Sequence, residues 1–243
     1  MASLKQCIFQ LLQLSALVST AAIPAVPNTR SPVRIMPFGA SIVGGDHSCW
    51  RAKLWSALES AGYTNFNFVG TLDNHDCGVW DFDGSNEGHS GFLATDVAHR
   101  NELVEWLADT NPEVIIEHIG TNDVIQGKRT SDIIDAYSTL VMQMRQNNPN
   151  MKMIFSELLP LDPSVCDDCD QKIVDLNAAI RSWAPRMTRP ESPIFLVDLF
   201  EGMSAANDLV DGIHPNESGQ EKIATRLIGP VEGVLRTFNN RFF

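Results

Sequence analysis

The chain has 243 residues, 44% of them hydrophobic and 20% charged, which suits one soluble domain with a sizeable core. Its formal net charge is −12, from 30 acidic against 18 basic side chains. That surplus repels phosphate backbones and anionic lipid, excluding nucleic acid and membrane surfaces as partners and disfavouring strongly anionic polymers such as pectin.

The N-terminus reads as a leader rather than as part of that domain. Lys5 is followed by an apolar run from Ile8 to Ala22 that ends in small residues suited to cleavage, the layout of a secretory signal peptide over 1–22. The rival reading, a buried N-terminal helix, is opposed by Ile23-Pro-Ala-Val-Pro27, an extended sequence. Residues 23–31 are therefore a linker or pro-segment, 32–243 form the folded domain, and the protein is expected outside the cell. No later segment is long and apolar enough to span a bilayer. Once Cys7 leaves with the leader, Cys49, Cys77, Cys166 and Cys169 remain, an even set that suggests two disulfides. Nearness in sequence favours Cys49–Cys77 and Cys166–Cys169. The alternative for Cys166-Asp-Asp-Cys169, a zinc or redox motif, lacks a second close Cys or His pair.

The elements follow in order. Val33 to Phe38 reads as a strand, Trp50 to Ala61 as a helix stopped by Gly62, and Phe66 to Val69 as a second strand. The stretch from Thr71 to Leu93, rich in Gly, Asp and Asn, has no period and is predicted to be a loop. Thr95 is predicted to cap a helix reaching Ala108, and Glu113 to Ile119 is a buried strand. A helix capped by Thr130 or Ser131 runs to Gln146, and Met151 to Glu157 is a strand. Asp170 to Trp183 is helical, Ile194 to Asp198 is a strand, and Asn216 to Phe238 is the last helix. Alternating strands and helices predict an α/β fold with a parallel sheet covered on both faces. In such sheets ligands sit beyond the strand carboxyl ends, and each polar motif here directly follows a strand.

Four motifs carry chemistry. Ser41, in Gly39-Ala-Ser41-Ile-Val-Gly-Gly45, can expose a hydroxyl at the sheet edge, though the segment is no G-x-S-x-G elbow because Val43 stands last. Asp211-Gly-Ile-His214 offers a base and the carboxylate that orients it from one turn. Asn122, in Gly120-Thr-Asn-Asp123, can donate to an oxyanion. Gly91, at the end of Glu87-Gly-His-Ser-Gly91, can bring a backbone N–H to the same place. The bland alternatives are ordinary capping and turn roles.

The segments Gly39-Ala-Ser41, Gly91, Gly120-Thr-Asn122-Asp123 and Asp211-x-x-His214 resemble, in order, the four sequence blocks of the SGNH/GDSL hydrolases. The resemblance implies a three-layer α/β sandwich with a five-stranded, flavodoxin-like parallel sheet. It implies Ser41 as nucleophile, His214 as base and Asp211 as its orienter. It also implies an oxyanion hole from the N–H groups of Ser41 and Gly91 with the Asn122 amide, Gly88 being the reserve for Gly91. One position departs: the family's Asp between Gly and Ser is Ala40 here, removing a side chain able to bond local N–H groups.

Arg34-Ile-Met-Pro-Phe-Gly39, Cys49-Trp-Arg51, Phe68-Val-Gly70 and Glu87-Gly-His-Ser-Gly91 further resemble the family three carbohydrate esterases that act on acetylxylan. That implies deacetylation of a plant cell-wall polysaccharide without metal or other cofactor. A rhamnogalacturonan acetylesterase, a general lipase or esterase, and a decayed carbohydrate-binding protein stand as alternatives. Four lesser readings complete the set. His89 and His118 are packing or hydrogen-bonding residues. Asp81 to Glu87 is a solvated loop, or else a calcium site. Trp80 and Phe92 line a sugar cleft or are partly buried under the loop. Asn216-Glu-Ser218 is a glycosylation sequon, or Asn216 caps the last helix.

Overall fold

A strand buried on both faces of a sheet has no polar face to alternate with, so it reads as a nearly continuous apolar run. Three segments do this and form the centre of the molecule: β1 (Val33–Gly39), β5 (Val114–His118) and β6 (Lys152–Ser156). The computed structural model describes residues 31–239 apart from 46–47, 76–78 and 80, so the expected leader, most of the linker, Cys77 and Trp80 lie outside the described residues.

The described chain continues through α1 (Ser41–Gly44), α2 (Trp50–Ser60), β2 (Phe66–Phe68), β3 (Leu72–Asp73), β4 (Ser85–Gly88), α3 (Ala94–Arg100) and α4 (Glu102–Thr110). After β5 come α5 (Thr121–Ile125) and α6 (Thr130–Asn147), and after β6 come α7 (Cys169–Met187), β7 (Ile194–Val197), α8 (Ala205–Asp208) and α9 (Glu217–Asn239). Sheet order is β3-β4-β1-β5-β6-β7, with β2 paired to β1. Strand β2 lies parallel to β1 over Val33–Ile35, and β4 lies parallel to it over Phe38–Gly39. The two share one edge of β1 end to end, while β5 and then β6 and β7 extend the other edge in parallel. Five strand positions are thus filled in parallel, and antiparallel β3 borders β4.

Strand side chains alternate between two apolar cores. Met36, Phe38, Ile115 and Phe155 pack under α3, α4, α6 and α7, while Ile35, Ile116, Ile154 and Val197 pack under α2 and α9. This is the expected three-layer sandwich.

Two local expectations fail. The segment 71–93 is not one loop, because it contains β3 and β4. Its Ser-Asn-Glu-Gly strand has no apolar residue to announce it, and it is buried by side-chain hydrogen bonding instead. The helix expected from Thr95 to Ala108 is two helices, broken where Asn101 adopts φ 58°, a conformation Asn tolerates. Its amide oxygen there accepts from Gln143 Nε2 at 2.9 Å.

Candidate active site

Ser41 opens a single helical turn at the carboxyl end of β1, so its N–H has no intrahelical acceptor and faces outward from the turn. The turn is closed by backbone bonds: Val43 and Gly44 N–H donate to the Ala40 carbonyl at 3.0 Å, and Gly45 N–H to that of Ser41 at 2.7 Å. The Trp50 indole donates to the Ile42 carbonyl at 2.8 Å, and His89 N–H to that of Gly39 at 3.0 Å. These bonds hold the loop although Ala40 has no side chain able to bond local N–H groups. Gly44 and Gly88 then pack so closely that a Cβ on either would strike the other's backbone. This lets the Ser41 turn lie directly on β4.

Asp211 and His214 occupy a tight turn between Leu209 and Pro215, which form an antiparallel bridge. One Asp211 oxygen accepts the N–H groups of Ile213 at 3.0 Å and His214 at 2.8 Å, and the other accepts His214 Nδ1 at 2.8 Å. Because a carboxylate only accepts, Nδ1 carries the proton and Nε2 is left as an acceptor. Ser41 Oγ lies 2.8 Å from that Nε2. Partial burial pushes the Asp211 carboxyl up, but hydrogen bonds from the His214 backbone, its ring and Ile213 outweigh this and bring it down to about 2. Asp211 is therefore held as a carboxylate. Gly212 sits at φ 83° against Asp162, where a Cβ would lie 2.6 Å from that residue's own Cβ, so the turn requires glycine.

The turn is fixed from behind by Asp208, a buried residue that no motif marks. Its carboxylate accepts Ser204 N–H at 2.8 Å, Ser218 Oγ at 2.8 Å and Lys222 Nζ at 2.6 Å, and its carbonyl accepts Asn216 N–H at 2.8 Å. Asn216 completes the anchor as the cap of α9. Its Oδ1 accepts Gly219 N–H at 3.2 Å while its Nδ2 donates to the Asn207 carbonyl at 2.8 Å.

Ser41, Asp211 and His214 line a cleft of about 460 Å³ with Gly45, Ser90, Gly91, Asn122 and Ile213. Asn122 spends one amide hydrogen on the Phe92 carbonyl at 3.0 Å, which leaves the other for the cleft. Gly91 is in the cleft wall, whereas the reserve candidate Gly88 is buried in β4 with its N–H donating to Asn86 Oδ1 at 3.0 Å. The three residues expected to supply oxyanion donors, Ser41, Gly91 and Asn122, thus line one cleft. Such an arrangement can deprotonate a serine and stabilise the oxyanion that its attack on a carbonyl creates.

The other candidate residues are structural. His118 is buried, its Nδ1 bonded to Ser156 Oγ at 2.8 Å, and burial pushes its ring down to about 4, so it stays neutral. His89 donates to Glu87 at 2.6 Å and stacks on Trp106 with centroids 4.2 Å apart, and Phe92 also packs on this pair. The segment Asp81 to Glu87 is not a solvated loop over its second half. Asn86 and Glu87 are fully buried, with Glu87 accepting Thr71 N–H at 2.8 Å and Thr71 Oγ1 at 2.6 Å. Among the described residues no group of three or more His, Cys, Asp or Glu could hold a metal ion. Cys166 and Cys169 are joined by a disulfide at the start of α7, so in this state neither is a thiolate free to bind zinc. Cys49 is also disulfide-bonded. Among the described residues no helix is long and apolar enough to cross a membrane.

Residues 38–222 match the model of the GDSL-like lipase/acylhydrolase family. A serine-to-alanine variant of an acetyl esterase, solved with an acetate ion, superposes with TM-score 0.78 at 31% identity, over 85% of this chain and 99% of that one. A carbohydrate esterase family 3 structure from Talaromyces cellulolyticus gives TM-score 0.77 at 32% identity over 84% and 99%. A curated multidomain esterase from Ruminococcus flavefaciens is 26% identical over 93% of this chain, which spans only 32% of that protein's length.

Proposed function

The chain belongs to the GDSL-like lipase/acylhydrolase family, and from that premise we propose that this carboxylic ester hydrolase is a secreted acetylesterase of plant cell-wall polysaccharide, with acetylxylan as its substrate. The observation that carries the proposal is the unbroken chain from Asp211 through His214 to Ser41, with both links at 2.8 Å, beside Asn122 and Gly91.

Ser41 Oγ attacks the acetyl carbonyl carbon while His214 Nε2 takes its proton. The oxyanion rests on the N–H groups of Ser41 and Gly91 and on the Asn122 amide. Collapse of the tetrahedral species expels the sugar oxygen, which leaves with the proton from Nε2, and Ser41 keeps the acetyl group. Water, deprotonated by the same nitrogen, then frees acetate. Asp211 fixes the tautomer and steadies the imidazolium without itself taking the proton.

A short acyl group is supported by the space beside the nucleophile. A void of about 10 Å³ adjoins Ser41, Gly120, Asn122 and Ile213, which is room on the order of one water-sized group. A carbohydrate is supported by the likeness to family 3 carbohydrate esterases, and a near-neutral one by the charge of −12. Secretion is supported by the leader-like 1–22 and by paired cysteines.

The test is acetate release from acetylated xylan by the wild type and by Ser41→Ala. Loss of at least about 1,000-fold in the variant is expected. Equal release by both proteins would remove Ser41 from the mechanism. Release only from acetylated pectin would move the substrate, and preference for long-chain nitrophenyl esters would replace the acetylesterase with a lipase.

A further inference from the structure

The oxyanion donors of the proposed site come from loops after three different strands: Ser41 after β1, Gly91 after β4 and Asn122 after β5. Strands β4 and β5 lie on opposite edges of β1 and never pair with each other. Gly91 lies three residues beyond the end of β4 and Asn122 four beyond the end of β5, so the ladder that sets both strands against β1 does not by itself set the distance between the two donors.

The residue that bridges them is Asp123. Its side chain is fully buried, although it directly follows Asn122 in a one-turn helix at the cleft wall. One oxygen accepts Ala94 N–H at 2.7 Å, and the other accepts Thr95 N–H at 3.0 Å and Thr95 Oγ1 at 2.7 Å. Ala94 and Thr95 open α3, which has no capping side chain of its own. Asp123 thus caps that helix from 28 residues away and pins the chain three residues beyond Gly91. The neighbouring Asn122 amide reaches the Phe92 carbonyl on the same segment at 3.0 Å. Four hydrogen bonds, all from residues 122 and 123 to residues 92–95, clamp the two donor loops together across the nucleophile. A carboxylate taken out of water is costly unless its acceptors are filled. Here all the donors come from one segment, so the cost is met only when that segment is in place.

We infer that Asp123 is a positioning residue of the oxyanion hole, holding the Gly91 loop at its working distance from Asn122 and Ser41. It touches no substrate. Its effect falls on the transition state, because donors set for an oxyanion lose little ground-state binding when displaced but lose much of their hold on developing charge. The inference rests on the reading of Ser41 as an esterase nucleophile.

The experiment compares wild type, Asp123→Asn and Thr95→Val on a nitrophenyl acetate. It measures kcat, KM and thermal midpoint, together with the end-point fraction of Ser41 labelled by a fluorophosphonate. Asp123→Asn places an amide where an acceptor is needed, and kcat is expected to fall about 10- to 100-fold with KM and the labelled fraction held. Thr95→Val removes only the hydroxyl bond and keeps both backbone bonds, so a fall of the same kind but a few-fold in size is expected. It carries the test should Asp123→Asn fail to fold. A kcat equal to wild type in the folded variants overturns the inference. So does a loss of rate matched by an equal loss of labelled serine, since that is only loss of folded protein. Absence of turnover and of labelling in the wild type would instead sink the esterase reading, and this one with it.

Discussion

The two halves of the site are held by opposite means. The Ser41 turn is fixed chiefly by main chain on main chain: backbone N–H groups engage the carbonyls of Gly39, Ala40 and Ser41, the Trp50 indole engages that of Ile42, and Gly44 lies against Gly88 with no room for a methyl group. The Asp211–His214 turn, closed by the backbone bond from Val210 N–H to the His214 carbonyl at 2.8 Å, leans far more on side chains, with the Asp208 carboxylate gathering Ser204, Ser218 and Lys222. Backbone contact between glycines has no soft end that can yield, so damage there is all or none. A side-chain network can lose one member and relax, so damage there is graded.

The comparison is broken most severely at Gly88→Ala. The added methyl group meets the Gly44 nitrogen and Cα, so the Ser41 turn must move off β4. We expect loss of nearly all esterase activity and about 1–3 kcal/mol of stability, measured by kinetics and thermal denaturation. A variant with wild-type rates would show that the nucleophile half tolerates displacement after all.

A smaller effect is expected at Asp208→Asn, which keeps the shape but sets an amide against donors. About 1–3 kcal/mol of stability should be lost, with kcat down about tenfold, the scale of a small displacement of a catalytic group. Full inactivation would erase the contrast between the two halves.

The last effect falls on stability rather than on turnover, and concerns pH and the strand beneath both halves. Burial pushes the Glu117 carboxyl, against the Ile119 N–H bond, from its ordinary 4.5 up to about 8. The folded state therefore holds a proton that the unfolded chain has released, and stability falls as pH rises from 4.5 through 8. Glu117→Gln should flatten that stretch of the stability–pH curve, by at most about 1.4 kcal/mol per pH unit, as followed by denaturant titrations across the range. An unchanged slope would assign the fall to other groups.

The central strands and the Asp211–His214 pair were legible in the sequence for a shared reason. Hydrophobic runs such as Val-Arg-Ile-Met-Pro-Phe and the i, i+3 spacing of Asp and His are local patterns that need no partner to be recognised. Strand β4 was not legible, because Asn86 and Glu87 are buried through bonds to Asn74, Thr71 and His89 rather than by apolar character. Asp208 and Asp123 were overlooked as structural carboxylates for a similar reason. Each looks like any other turn acid until its donors are brought in by the fold. Motif order names Gly91 and keeps Gly88 in reserve, and only the fold shows that the Gly88 N–H is already spent. The Asn101 break is not legible in the sequence, because a single left-handed residue leaves the 3.6-residue period almost intact on either side.

Ser41 and His214 lie 173 positions apart in the chain and meet at 2.8 Å. Helix α9, whose cap seats the His214 turn, is docked back onto α2 near the other end of the domain through Lys53 to Glu217 and Glu221. A chain emerging from the ribosome therefore carries a serine with no base until the His214 turn has been made and α9 has docked on α2. Catalytic competence arrives as one late event, so ester turnover in this protein doubles as a reporter that the whole domain has closed.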